Sequence, residues 1–318
     1  MAAESSRIML EARSLDHRAR TLLRPGARFA VHSVFERAVN LIGDQHWLLG
    51  LVGPRGGNGP ATVVLRTLAD GGLPLHWLKP GLSAVVDRTG RLVIDGRLAV
   101  GLAGAVVWQP PVLPGSFDPR RARTNVNRAA ALTYELRGSD GLGGLLPHLD
   151  RLLAGGHAPP GLPRLLRTAW NALADLLPPW RAGQAVGVGR AARSLVGLGP
   201  GQTPSGDDLL AGLMVASQRT STLVGGPRRI AAPVPRAVLD AAEGRTTDLG
   251  LARLRYAAEG ELDERSELAL AALLAGDATA VEATTRELLA YGHSSGLDTL
   301  VGLLLGIRCW VLGIGDGP

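Results

Sequence analysis

Up to about residue 113 the chain is built from short runs of apolar and β-branched residues separated by Gly, Pro or Asp-rich breaks. FAVHSVFERAVNLI, HWLLGLVGP, ATVVLRTL, SAVVDRTGRLVIDGRLAVGL and AVVW are the clearest of these runs. Their length and period predict strands, and VVDRTGRLVIDG predicts a hairpin turned at Thr89-Gly90. From about residue 117 the period changes. TNVNRAAALTYELRG, GLPRLLRTAWNALADLLPPW, TTDLGLARLRYAAEGE, ERSELALAALLAGD and ATAVEATTRELLAYG place apolar residues three and four apart, with Gly or Pro stops. The expectation is an α+β chain: a polar leader over 1–28, an antiparallel β-rich barrel or sandwich over 29–116, and a larger all-helical domain over 117–318. The Pro-rich QPPVLPGSFDP reads as the linker.

Composition narrows the classes. With 318 residues, 46% of them hydrophobic, the chain can bury about two domain cores. The single cysteine, Cys309, excludes a disulfide framework and an all-cysteine metal site. The first residues lack a signal-peptide core, and Glu4 and Glu11 argue against a transit peptide. Gln109-Pro110-Pro111 and Arg308 break the longest apolar runs short of the roughly 20 residues that span a bilayer, so a cytoplasmic protein without a membrane partner is expected. A net charge of +6 invites nucleic acid. Yet every basic residue but Lys79 is arginine, the arginines are scattered (PRRARTNVNR is the densest patch), and 4% aromatics give no stacking platform. No nucleic-acid partner is expected.

The chemistry concentrates in a repeat. TPSGDDLLAGLMVA (203–216) aligns without a gap to HSSGLDTLVGLLLG (293–306), sharing S-G-x-D-x-L-x-G-L. Ser with Asp three positions later predicts a capping box, so Ser205 and Ser295 each start a helix, with Asp208 and Asp298 as N3 caps worth about 1 kcal/mol. Gly212 and Gly302, two turns on, permit close helix contact. Two such helices crossing at these glycines set their N-termini side by side, where free amides suit an anion. Gly201, Thr203, Ser205, Gly206, Ser294, Ser295 and Gly296 are the candidate substrate-binding residues. Asp207 has no counterpart in the second copy, where Leu297 stands. A carboxylate pair beside an anion points to Mg²⁺, with Asp207, Asp208 and Asp298 as candidate ligands, or to an Asp that moves a substrate proton. His293 aligns with Thr203 and reads either as a packing residue or, with Asp207 and Asp208, as catalytic. Thr246 and Thr247 open another helix; an ordinary Thr cap is the simpler reading, with substrate contact as the other.

Elsewhere the signals are weaker. Strand alternation puts His32 and Ser33 on opposite faces, so with Asn40 they form no dyad. His46, His76, His148 and His157 have no metal-ligand spacing. GGNGP lacks the lysine of a phosphate loop, and GVGRAARSLVGLG does not follow a buried strand, so no nucleotide or redox cofactor is expected.

The order GLGPGQTPSGDDLLAGL, RTTDLGLARLRYAAEG, GHSSGLDTLVGLLLGI, with VHSVFERAVNL and GNGPATVVL ahead of them, resembles a bacterial family long of unknown function that includes the AllH-type subunit of oxamate carbamoyltransferase. The resemblance runs from about residue 28 to 313. Gln202 departs from it, standing where the family often has Leu. It implies a role in allantoin or purine-nitrogen breakdown, in a complex with two other subunit types that interconverts carbamoyl phosphate plus oxamate with oxalurate plus phosphate. It does not imply that this subunit holds the active site. Both substrates are small anions that call for amides, hydroxyls and positive potential. Two other readings stay open: a stand-alone Mg²⁺-dependent phosphoryl-transfer or hydrolytic enzyme, and a non-catalytic scaffold.

Overall fold

The structure, a computed structural model, describes residues 7–36, 38–44, 47–67, 75–113, 115, 117–137, 141–224 and 233–311. His46 lies outside them. The chain divides into two compact units, residues 1–110 and 111–318.

The first unit is an eight-stranded barrel. Its strands are β1 (Ile8–Asp16), β2 (Arg28–Phe35), β3 (Ala38–Gly43), β4 (Leu48–Val52), β5 (Thr62–Leu65), β6 (Ser83–Val86), β7 (Leu92–Ile94) and β8 (Leu98–Gly101), with α1 (His17–Leu22) after β1. The sheet order β5-β4-β3-β2-β6-β7-β8-β1 closes through an antiparallel β1–β5 pairing, and β9 (Val106–Trp108) joins the far half of β1. Antiparallel pairing dominates, but β1 runs parallel to both β8 and β9, and β4 runs parallel to β5. Alternation explains the interior: Leu10, Ala12, Phe29, Val31, Val39, Leu41, Leu49, Leu51, Val63, Leu65, Leu92 and Ile94 point inward and form one apolar core.

Two sequence expectations change here. Residues 8–16, inside the stretch read as a polar leader, form the strand that closes the barrel. Its polar look comes from the outward-facing Glu11 and Arg13, which alternate with buried Leu10, Ala12 and Ser14. His32 and Ser33 are also not kept apart. The β2–β3 register shifts between Val31 and Ser33, which breaks the alternation and brings His32 Nδ1 to 3.2 Å from Ser33 Oγ. Asn40 Nδ2 donates to the same hydroxyl at 3.0 Å.

The second unit is helical: α2 (Pro119–Arg137), a 3₁₀ turn (Gly143–His148), α3 (Leu149–Leu153), α4 (Arg164–Arg181), α5 (Ala185–Ala192), α6 (Ser205–Leu223), α7 (Pro233–Ala242), α8 (Asp248–Ala258), α9 (Glu264–Ala275), α10 (Ala278–Leu289) and α11 (Ser295–Val311). At its centre lie α6 and α11, the two copies of the repeat. Both are buried almost all round, the mark of a core helix rather than a surface one. They cross where the sequence repeat puts its glycines. A Cβ on Gly212 would stand 2.3 Å from the carbonyl oxygen of Thr299, and one on Gly302 only 2.1 Å from that of Leu209. Because 209 aligns with 299 and 212 with 302, the contact is reciprocal, as about a two-fold axis. Among the described residues no helix is long and apolar enough to cross a membrane.

Candidate functional site

Crossing at the glycines brings the helix starts together. Thr203 and Ser295, one from each copy, meet hydroxyl to hydroxyl at 2.9 Å. The polar residues behind them are arranged differently from a pair of capping boxes. Pro204, not Ser205, occupies the N-cap of α6 and makes no side-chain cap bond; its carbonyl accepts from the amides of Asp207 and Asp208. Ser205 and Ser295 are the first helical residues, so their hydroxyls are free to turn across the crossing. Ser205 reaches Asp298, and Ser295 with Thr203 reaches Asp208. Each carboxyl therefore has the opposite copy's serine hydroxyl beside it, which favours its charged form without a well-directed hydrogen bond to Asp208. The first amides are also less available than expected, since those of Gly206 and Gly296 bond the carbonyls of Leu198 and Tyr291.

Asp207, Asp208 and Asp298 are fully buried. Asp208 pairs with Arg253 of α8, whose Nε lies 2.6 Å from Oδ1. The pair is close but poorly aligned, and neither Asp208 oxygen has a well-directed hydrogen bond. Burial dominates its titration and raises the carboxyl to about 7, with Arg253 and the Ser295 hydroxyl pulling down and Asp298 pushing up. For Arg253 the balance reverses: desolvation would lower its pKa, but Asp208 and Asp263 outweigh that and raise it. Arg253 also donates to Thr299 Oγ1 at 2.7 Å. Asp298 is raised by burial as well, against the amide of Leu142 at 2.7 Å and the hydroxyls of Ser205 and Ser294; its Oδ2 lacks a well-directed donor.

Asp207 does different work. One oxygen accepts from the amide of Gly197 at 2.9 Å and the other from the hydroxyl of Thr246, so the carboxylate ties the α6 entry loop to the start of α8. Burial raises its pKa, opposed first by Thr246 and then by Gly197. Thr247 caps α8, accepting from the amide of Gly250 at 2.9 Å, and its own hydroxyl donates to the carbonyl of Gln202 at 2.5 Å. The loop 197–203 is thus held from both threonines.

Protein donors occupy both oxygens of Asp207, and the cation beside Asp208 is Arg253. The pair does not fit a shared divalent ion, and among the described residues no cluster with metal-ligand geometry includes Asp207, Asp208 or Asp298. The accessible surface of the site is its rim: Gly201 and His293 are exposed, and Thr203, Ser294 and Ser295 half-buried. Arg137 fixes the second half of that rim, donating to the carbonyls of Leu289 at 2.9 Å and His293 at 2.5 Å.

Sequence reasoning missed Arg253. The signal was present: it lies three residues after Gly250 and four before Ala257, on the stripe that α8 buries, where an arginine needs a carboxylate. Tyr291, whose hydroxyl has its pKa raised by burial and whose ring lies under Arg265, carries no comparable signal in the sequence.

Residues 195–307 match the family model described as oxamate carbamoyltransferase subunit AllH, and residues 9–107 match the AllH family N-terminal domain. No solved structure matches.

Proposed function

The chain belongs to the AllH family, and from that membership we propose that it serves as one subunit of an oxamate carbamoyltransferase that moves a carbamoyl group between phosphate and the nitrogen of oxamate. Other subunits complete the complex. The observation that carries a substrate role is the meeting of Thr203 and Ser295 at 2.9 Å, where the positive ends of α6 and α11 converge beneath exposed backbone at Gly201. In this reading the rim hydroxyls of Thr203, Ser294 and Ser295 receive the small anion. His293, exposed beside them, takes the proton that the amide nitrogen loses when it attacks the carbamoyl carbon and phosphate leaves. Asp207 and the Asp208–Arg253 pair act as positioning residues, because burial keeps them from the substrate.

The full burial of all three carboxylates favours a second reading, a structural subunit whose partners hold the chemistry. Phosphate release from carbamoyl phosphate with oxamate, measured on the chain alone and on the reconstituted complex, separates the two. The transferase reading expects activity in the complex alone and a fall of about a hundredfold in kcat for His293→Ala. Full activity of that variant in an intact complex leaves the structural reading standing.

A further inference from the structure

Thirteen residues after Ser295, about 20 Å along the axis, α11 carries Arg308 in the otherwise apolar run VGLLLGIRCWV. A cavity of about 230 Å³ opens there between α2, α3 and α11, with Arg123, Val126, Asn127, Asp150, Ile307 and Arg308 in its wall. That is below the size of sites for drug-sized ligands and suits a molecule of a few heavy atoms. The Arg308 side chain is only 11% exposed, whereas that of its ion-pair partner Asp150 is 80% exposed. Arg308 Nη2 donates to Asn127 Oδ1 at 2.5 Å.

This pairing is lopsided. A sheltered guanidinium is neutralised by a carboxylate that stands in water, where the attraction is weakest and the carboxylate is easily exchanged. A second guanidinium, Arg123 of α2, lines the same hollow and adds to the positive charge; desolvation and Arg123 both lower the pKa of Arg308, with Asp150 opposing. One basic residue in the last turn is what a helix C-terminus favours. Arg123 brings a second guanidinium to the same wall from another helix, around space open to solvent. The planar fork of an arginine matches the two oxygens of a carboxylate or phosphate.

We propose that this cavity binds a small oxyanion, a carboxylate or phosphate group, which takes the place of the Asp150 carboxylate on Arg308 and is further held by the charge of Arg123. The site is separate from the rim of the helix crossing and stands whether or not the chain takes part in carbamoyl transfer.

Isothermal titration of the full chain at low ionic strength tests it, with inorganic phosphate in one arm and oxamate in the other; the arm that binds identifies the group. Asp150→Ala removes the internal competitor and is expected to tighten binding roughly tenfold, and Arg123→Ala to weaken it by a similar factor. Thr203→Val disables the rim, and in that background the binding at this cavity persists and keeps its response to Asp150→Ala. Melting supplies a second readout: the anion that binds raises the melting temperature of Asp150→Ala more than that of the wild type. Binding that Asp150→Ala leaves equal or weaker, or that Thr203→Val abolishes, overturns the proposal. So does silence of both anions on wild type and Asp150→Ala.

Discussion

After Gly206 comes Asp207; after Gly296, at the same place in the second copy, comes Leu297. The two helix starts share their serine, glycine and second aspartate but differ at Thr203/His293, Pro204/Ser294 and Asp207/Leu297, and the last of these differences sends their entry loops to different anchors. In the first copy the carboxylate stitches the entry loop to α8 through Gly197 and Thr246. In the second a leucine enters the core, and the loop is held instead from its backbone by Arg137, which leaves His293 exposed. A repeated helix start thus keeps its crossing geometry while one copy ties its entry loop to α8 and the other leaves its loop exposed at His293.

The comparison breaks most severely at the crossing. Gly302→Val forces a branched side chain against the Leu209 carbonyl and is expected to cost more than about 4 kcal/mol, beyond ordinary overpacking. Chemical denaturation followed by circular dichroism measures it, and a variant within 1 kcal/mol of wild type would show that the helices are not glycine-limited. Next in size, Asp208→Ala strands Arg253 with the more distant Asp263 and should lose about 3 kcal/mol. Asp298→Ala has no arginine to strand and should lose about half of that, mainly by orphaning the Leu142 amide. Equal losses would mean that Arg253 is not what separates the copies. Asp207→Leu makes the first copy like the second. It leaves the Gly197 amide and Thr246 hydroxyl without acceptors, an expected loss of about 2 kcal/mol, and loosens loop 197–203 to hydrogen exchange while the exchange of 291–295 is unchanged.

The smallest expected effect is on pH dependence. Asp208 rises from its ordinary 3.8 to about 7 in the folded chain, so between those values the folded state holds a proton that the unfolded state has released. Its stabilising share is complete below about pH 4 and is lost as pH rises through 7. Melting temperatures from pH 5 to 8 should therefore fall more steeply for wild type than for Asp208→Asn; parallel curves would remove the buried-proton reading.

Much of this was legible in the chain. The switch from strand to helix period near residue 113 and the glycine spacing of the repeat depend on local pattern, and the structure has both. The direction of the serines and aspartates was not legible. Ser205 and Asp208 have the spacing of a local cap, and the same two groups serve equally well across a crossing; only the proline at 204 and the meeting with α11 decide between them. The strand over 8–16 is hard to see in the leader because its outward-facing positions, Glu11 and Arg13, are charged, and the alternation with buried Leu10, Ala12 and Ser14 shows only against the fold. Arg253 escaped because a basic residue on a helix is ordinarily solvated, and its burial follows from where α8 lies rather than from its neighbours in sequence.

The first strand of the barrel has one further consequence. Ile8–Asp16 finds its neighbours in residues 62–65, 98–101 and 106–108, and so has no lasting place until about a hundred residues have left the ribosome. The first strand of the sheet has its full set of neighbours only when the last strands are present. Closure of the ring is therefore a long-range step, slow by its contact order, and a nascent chain must carry an unsatisfied apolar edge until that step is complete.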